Sequence, residues 1–581
     1  MNLPLKSYWN LLSRHIRPQK GRFFLLVFFL MSSIGLRIIN PQIMRFFIDA
    51  ALAGKILQEL ILAALAFIGI SLLQQIIAIS ATYLGENVAW TATNALRAEL
   101  AWHGLNLDMR FHNDHSPGEL IERIDGDVTE MATFFSQFVI TLLGNGMFLI
   151  GILVALFLED WRAGLAFTVF SIISIFTLNR VKDIAIVHQK ARRQAEADLF
   201  GFVEEQLAGT EDIRSCGAVD FSIRELFQLQ AEILRHNRKA HFKRWIIENF
   251  IGIFLAIGNI LALSTGYFLF KAGAITIGTV YLFVHYINLL EEPIWTLTRQ
   301  VESFQTIGAC VERLAEFRSL EPRIRDGNLL QIDGGSLTLT FNKVSFSYDG
   351  DGVVLRDISF SLSPKSVLGL LGRTGSGKTT LARLVFRLFD PTAGEILLND
   401  TALCDLKLEV VRRNVALVTQ DVQLFRASVR DNLTFFEPNI PDERIIEVFH
   451  QLELVDWYRS LPEGLDTQLG AGGHSLSAGE AQLLAFARVF MRDPALVILD
   501  EASSRLDPAT EQHLERALEK LLHNRTAIII AHRLGTVHRA NEIMILEEGK
   551  ISEYGVRRIL AEDPTSQFRH LIQTGLEEVL V

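Results

Sequence analysis

The run Gly372-Arg373-Thr374-Gly375-Ser376-Gly377-Lys378-Thr379 has the residue types and spacing to hold phosphate. It fits G-x-x-x-x-G-K-[ST] and stands between an apolar, strand-like run at 367–371 and a helical stretch, where the chemistry needs it. Glycines let successive backbone N–H groups converge on phosphate oxygens, and the following helix adds its positive end. Lys378 is expected to neutralise β- and γ-phosphates, and Thr379 to hold Mg²⁺. A second run, Leu496-Val497-Ile498-Leu499-Asp500-Glu501, ends an apolar strand in two carboxylates. Open α/β sheets bind ligands at the carboxyl ends of their strands. Asp500 is expected to orient Mg²⁺ or its water, and Glu501 to be the general base for an attacking water. The blander readings are a chance glycine-rich turn and an Asp-Glu helix cap. Both runs occurring in one chain, each in its proper setting, outweighs them.

Leu476-Ser477-Ala478-Gly479-Glu480 lies shortly before Asp500 and resembles the signature peptide of ABC-transporter ATPases, usually LSGGQ. Other elements follow that family's order. Tyr348 is similar to the aromatic that stacks on adenine. Gln420 matches the glutamine between nucleotide and membrane domain, a catalytic and metal-facing position. Ser504-Arg505-Leu506-Asp507 matches the loop that crosses to a partner subunit, and His532 the histidine that contacts the γ-phosphate. The resemblance spans essentially the whole chain. It implies ATP and Mg²⁺ as ligands, with Gly372 to Thr379 and Thr380 around the nucleotide, and Ser477 and Gly479 facing a nucleotide held by a partner. Four departures stand out: Ala478 for the usual glycine, Glu480 for the usual glutamine, Arg505 for a usually small residue, and Thr467-Gln468-Leu469-Gly470 without the glutamate often seen just before the signature. An added Cβ at 478 would crowd a phosphate.

The elements that must position these residues follow from pattern. After Pro322, alternating runs around Leu337, Leu339 and Phe341, Val344 and Phe346, and Ile358 and Phe360 read as half-buried strands. Apolar runs at 367–371, 415–419, 496–499 and 527–530, separated by helical stretches, predict an α/β domain with a mainly parallel core sheet. Before residue 320 the sequence is different. Apolar segments of membrane-spanning length recur near 23–52, 57–88, 134–158, 161–184, 245–270 and 275–297. Arg37, Asn40 and Pro41 interrupt the first, so some helices are expected to kink or to face protein. Links near 53–55, 159–160 and 271–273 are short. Those at 91–131 and 185–244 are long, helical in pattern, and turn near 113–118 and 209–217. The second carries Lys190, Arg192, Arg193, Arg235, Arg238, Lys239, Lys243 and Arg244, which places the long links and both termini in the cytoplasm. The expected architecture is a membrane all-α domain (1–318) of about six transmembrane helices with long cytoplasmic extensions, a linker (319–332) and an α/β P-loop ATPase domain (333–581). By the resemblance, the two turns are coupling helices.

Composition agrees. The chain has 581 residues, 49% of them hydrophobic, and a net charge of -10, with a mean hydropathy of +0.26. That excludes one small soluble core and argues against a nucleic-acid partner. Bases at Lys6, Arg14, Arg17, Lys20 and Arg22 precede an apolar run too long for a secretory signal. Cys216, Cys310 and Cys404 are too dispersed for a metal cluster or disulfide framework and read as buried or idle thiols.

One phosphate loop and one signature, without internal repeat, imply by the resemblance a dimer of half-transporters that exports a lipid, hydrophobic small molecule or peptide by alternating access. An intact Glu501 beside an altered signature fits one half of a heterodimer. The alternatives are a homodimeric exporter or lipid flippase, and a nucleotide-gated channel or sensor on the same frame. Glu291 and Glu292 end the apolar run 280–290, roughly 24 Å along a helix that starts near Ile275. At least one is expected to line an inward cavity and favour cationic or amphipathic substrates. The competing reading is an interfacial anchor, or an ion pair with a base such as Arg299 or Arg45.

Overall fold

The structure is a computed structural model. It describes residues 14 and 16–574, apart from 137–140, 182, 333–336, 349–351, 420–421, 471–475, 501–507 and 532–536. The chain forms two compact units: Met1–Asn106 with His115–Leu320, and Leu107–Asp114 with Glu321–Val581.

The first unit is helical. Its elements are α1 (Lys20–Leu52), α2 (Leu57–Leu105), then, after α3 (Met109–Asp114) of the second unit, α4 (Pro117–Ile121), α5 (Asp127–Ser136), α6 (Gly144–Glu159), α7 (Trp161–Val181), α8 (Asp183–Ala208), α9 (Thr210–Ser215), α10 (Val219–Lys271) and α11 (Ile277–Ser319). Among the described residues, five helical segments are long and apolar enough to cross a membrane: Arg17–Leu52, Leu57–Leu105, Thr141–Glu159, Trp161–Leu178 and Gly252–Lys271. The sixth expected segment forms the start of α11, where His285, Asn288, Glu291 and Glu292 dilute the apolar run. The long links continue the membrane helices. α2 has 49 residues and α10 has 53, lengths of about 74 Å and 80 Å at 1.5 Å per residue, far beyond a ~30 Å hydrocarbon layer.

Leu62, Leu65, Leu72 and Ile76 on α2 are exposed, the pattern of a helix that meets lipid. The opposite demand is met inside, where Phe148, Phe167, Phe283 and Tyr286 of α6, α7 and α11 form a buried core. The polar interruptions of α1 have protein partners. Asn40 donates to Ser71 Oγ at 2.8 Å, and Arg37 pairs with Glu292 at 2.6 Å. Pro41 is buried inside an unbroken α1. The base that meets Glu292 is therefore Arg37; Arg45 instead pairs with Glu159 at 2.5 Å. Cys310 is buried. Burial and the Asp127 carboxylate beside it push its thiol up to about 11. Cys216 and Cys404 are exposed rather than buried, and none of the three is bridged.

Among the described residues, the second unit holds two sheets. One is antiparallel, in the order β2-β1-β4-β5: β1 (Leu339–Ser347), β2 (Val353–Leu362), β4 (Ala393–Leu398) and β5 (Thr401–Ala402). The other has six strands, in the order β10-β9-β3-β8-β7-β6: β3 (Val367–Leu371), β6 (Val415–Val418), β7 (Leu496–Asp500), β8 (Thr526–Ile530), β9 (Glu542–Glu547) and β10 (Lys550–Val556). Its strands are parallel except for the β9–β10 pair. β3 and β8 are buried along their whole length, so they read as continuous apolar runs. Alternate residues serve opposite faces. Val497 and Leu499 meet one core; Leu496 and Ile498 meet the other, with Phe341, Ile358 and Leu381.

The linker is docked on this unit rather than loose. Arg387, 2% exposed, donates to the carbonyls of Arg325, Cys404 and Leu406. A Cβ at Gly327 would lie 2.2 Å from the Asp405 carbonyl oxygen, so the chain there requires glycine. Asp108, just before α3, accepts from the backbone N–H of Arg323 at 2.6 Å.

Candidate active site

The phosphate loop joins β3 to α12 (Lys378–Val385). Gly372, Gly375 and Gly377 have φ of +146°, +82° and +105°, which turn the chain back over the strand end. A side chain at Gly372 would place its Cβ 2.3 Å from the Leu546 carbonyl oxygen. Lys378 is buried, and its Nζ donates to the carbonyls of Gly372 at 2.6 Å and Arg373 at 2.9 Å. The ammonium is thus held inside the curl of the loop. Ser376 is also buried, with Oγ lacking a hydrogen-bond partner. Arg373, Thr374, Gly375 and Thr379 are exposed on the outer side.

Register brings the carboxylate to the same edge. Leu370 of β3 is level with Ile530 of β8, and Ile530 is level with Asp500 of β7. Two strand spacings, about 10 Å, separate the end of β3 from Asp500. Val418 of β6 is level with Leu499, so four parallel strands end on this edge. Gln420, Glu501 and His532 follow β6, β7 and β8 in sequence and lie outside the described residues, as do Ser504, Arg505 and Asp507. Tyr348 follows β1. Its ring packs edge-on against Phe346 and Phe389, with centroids 4.8 Å and 5.3 Å away. Its hydroxyl lies 3.2 Å from Thr380 Oγ1 on α12. Phe389 has no motif to announce it; only its packing shows that it fixes Tyr348.

Ser477 and Gly479 start another helix, α13 (Ala478–Arg492). Ser477 N–H and Oγ both donate to Glu480 Oε2 at 2.8 Å, and Glu480 N–H donates to Ser477 Oγ. This is a capping box. It holds the serine inside its own turn, with a carboxylate as acceptor where the usual signature has an amide.

The site suits a triphosphate. It offers a glycine-turned loop at the strand edge, a buried ammonium and an orphaned buried hydroxyl. Thr379 and Asp500 add oxygen donors of the kind Mg²⁺ takes. Among the described residues no group of three His, Cys, Asp or Glu could hold a metal alone. That is compatible with a Mg²⁺ bound by one or two protein oxygens and by phosphate.

Comparison with known proteins gives two family matches: "ABC transporter" over residues 355–504, and "ABC transporter transmembrane region" over residues 23–294. The chain is 30% identical over 600 residues to the ATP-dependent lipid A-core flippase of Pseudomonas fluorescens, covering 99% of this chain and 97% of that protein. ATP-dependent lipid A-core flippase 1 of Colwellia psychrerythraea is 30% identical over 490 residues, 81% of this chain and 80% of that protein. An uncharacterized ABC transporter ATP-binding protein of Bacillus subtilis is 29% identical over 554 residues, 94% and 91% of the two chains. With both halves matched in one polypeptide, this chain belongs to the ABC transporter family, as an exporter-type half-transporter whose ATPase domain couples ATP hydrolysis to transport.

Proposed function

We propose that this chain hydrolyses ATP at its own phosphate loop to export an amphipathic molecule, lipid or hydrophobic solute, and that it does so as one subunit of a heterodimer. In this reading Gly372 to Lys378 bind the phosphates, Tyr348 meets adenine, and Thr379, Asp500 and Gln420 hold Mg²⁺. A Mg²⁺ ion there would neutralise charge on the β- and γ-oxygens. Glu501 takes the proton from the attacking water, and His532 contacts the γ-phosphate. The observation that carries these assignments is the common edge of β3, β6, β7 and β8. The test is Glu501→Gln in the purified dimer. ATP still binds, because its phosphate contacts come from the loop. Hydrolysis falls about a hundredfold or more, the scale of a positioned base. Near-normal turnover would remove Glu501 from the role.

The relatives named as lipid A-core flippases support an amphipathic substrate. The basic residues of the long links support an orientation with the ATPase domain and both termini in the cytoplasm, in what we take to be the cell membrane. The heterodimer rests on the Ser477–Glu480 contact. Family architecture sets the signature of one subunit against a nucleotide on the other. Here its serine is engaged by a carboxylate, which accepts hydrogen bonds only and repels phosphate. Such a signature suits a partner site of reduced activity, opposite this chain's complete loop.

A further inference from the structure

Glu291 and Ser174 line one crevice between α7, α10 and α11. Glu291 stands 14 residues after the start of α11 and Ser174 13 after the start of α7. Both are roughly 20 Å along their helices, well within a bilayer core of about 30 Å. Those two starts lie at one end of the bundle: Asp49 of α1 accepts from Gly278 N–H at 2.9 Å, and Arg45 pairs with Glu159 just before α7.

Two groups in the crevice lack partners. Ser174 is 1% exposed, and its Oγ has no hydrogen bond. Glu291 has no ion pair or hydrogen bond among the described residues, whereas its neighbour Glu292 is paired with Arg37. Glu291 is exposed in this chain, and an unpaired carboxylate at this depth favours a bound counter-ion. Phe170, Phe254 and Trp295 supply aromatic walls, whose faces attract cations. No lining residue carries a positive charge, so an anion finds no counterpart. The crevice is partly open and has a volume of about 30 Å³, room for one or two water-sized groups.

Specific packing makes this space. A Cβ at Gly258 of α10 would lie 2.9 Å from both Phe170 Cζ and Ile287 Cγ1, so the glycine admits those side chains. Asn259 donates to Asn288 Oδ1 at 3.2 Å and ties α10 to α11 beside it.

We propose that this crevice is a subsite for the primary ammonium head of an amphipathic cation, with Glu291 as counter-ion and Ser174 as a second acceptor. An ammonium has three donors and no acceptor, which matches a carboxylate and a free hydroxyl oxygen. It is also water-sized, which a quaternary head is not. The apolar lining takes the adjoining alkyl chain. The inference rests on the reading of an amphipathic substrate and narrows it.

The test is equilibrium binding of radiolabelled dodecylammonium to the full-length transporter in phosphatidylglycerol nanodiscs, without ATP. Because nucleotide is absent, the result is independent of hydrolysis and of the asymmetry between subunits. Glu291→Gln is expected to weaken displaceable binding by about tenfold, below the scale of a fully desolvated charge pair because the carboxylate is exposed. Glu291→Asp retains most of it. Ser174→Leu, which keeps the carboxylate and fills the crevice, also abolishes it, and Glu292→Gln leaves it unchanged. Dodecyl sulfate does not compete. Unaltered affinity in both Glu291→Gln and Ser174→Leu, or equal competition by dodecyl sulfate, overturns the proposal. Displacement by added phosphatidylethanolamine assigns the ammonium to a lipid head; no displacement assigns it to a soluble amphiphile.

Discussion

Glu480 differs from the usual signature glutamine by one atom type, yet it changes what Ser477 can offer. Its carboxylate accepts from both donors of Ser477. Glutamine also caps helices in this position, so Glu480→Gln keeps α13 folded while removing the charge. In the assembled transporter, hydrolysis at the partner's loop should rise roughly tenfold, matching a term of 1–2 kcal/mol between charges near a protein surface. The check is single-turnover hydrolysis with this chain's own site silenced by Glu501→Gln. An unchanged rate would reduce the contact to a helix cap. The spacing of the motif is open to reading in sequence because the phosphate loop needs glycine at fixed positions. The self-engagement of Ser477 is not, since a Ser-x-x-Glu pattern marks any helix start.

Helices and strands were readable to different depths. The apolar strands β3, β6, β7 and β8 stand out because burial on both faces leaves them apolar apart from Thr526 at the start of β8 and Asp500 at the end of β7. Their register, which brings Asp500 level with Ile530 and Leu370, depends on pairings far apart in the chain. The membrane segments were readable from length and hydropathy, but their polar pairings were not. Arg37 finds Glu292 across 255 residues, and Arg45 finds Glu159 across 114. That second pair joins α1 to the end of α6, and Gln42 adds a donor to the same Glu159 at 2.9 Å. Arg45 and Glu159 are 31% and 15% exposed. Glu159→Gln leaves the guanidinium without its counter-charge. It should destabilise the helical unit by about 2–4 kcal/mol, at the lower side of what breaking a buried pair costs because the site is partly open. Replacing both partners, Arg45→Leu with Glu159→Leu, should recover much of the loss. The midpoint of SDS-induced unfolding reads both variants. Equal midpoints for the single and double variants would show that the pair does not hold these helices.

At the scale of the whole molecule, the chain holds one phosphate loop and one signature, so a complete pair of nucleotide sites needs two chains. Two copies of this chain would give two sites of one kind, each pairing Glu501 with the Glu480-bearing signature. A different partner would allow one site to combine Glu501 with an unaltered signature. It would pair the altered signature with a loop that has less hydrolysis to perform. The second arrangement gives each departure a place. It predicts that the chain purified alone shows weak ATPase activity and no substrate-dependent stimulation. Co-expression with its partner should restore both, and only one of the two sites should then lose turnover with Glu501→Gln. The measurement is vanadate-trapped nucleotide per dimer, read separately for each subunit after photolabelling. A stable dimer of this chain alone, trapping nucleotide equally at two sites and transporting fully, would show that the carboxylate in the signature is tolerated and that the asymmetry has no functional role.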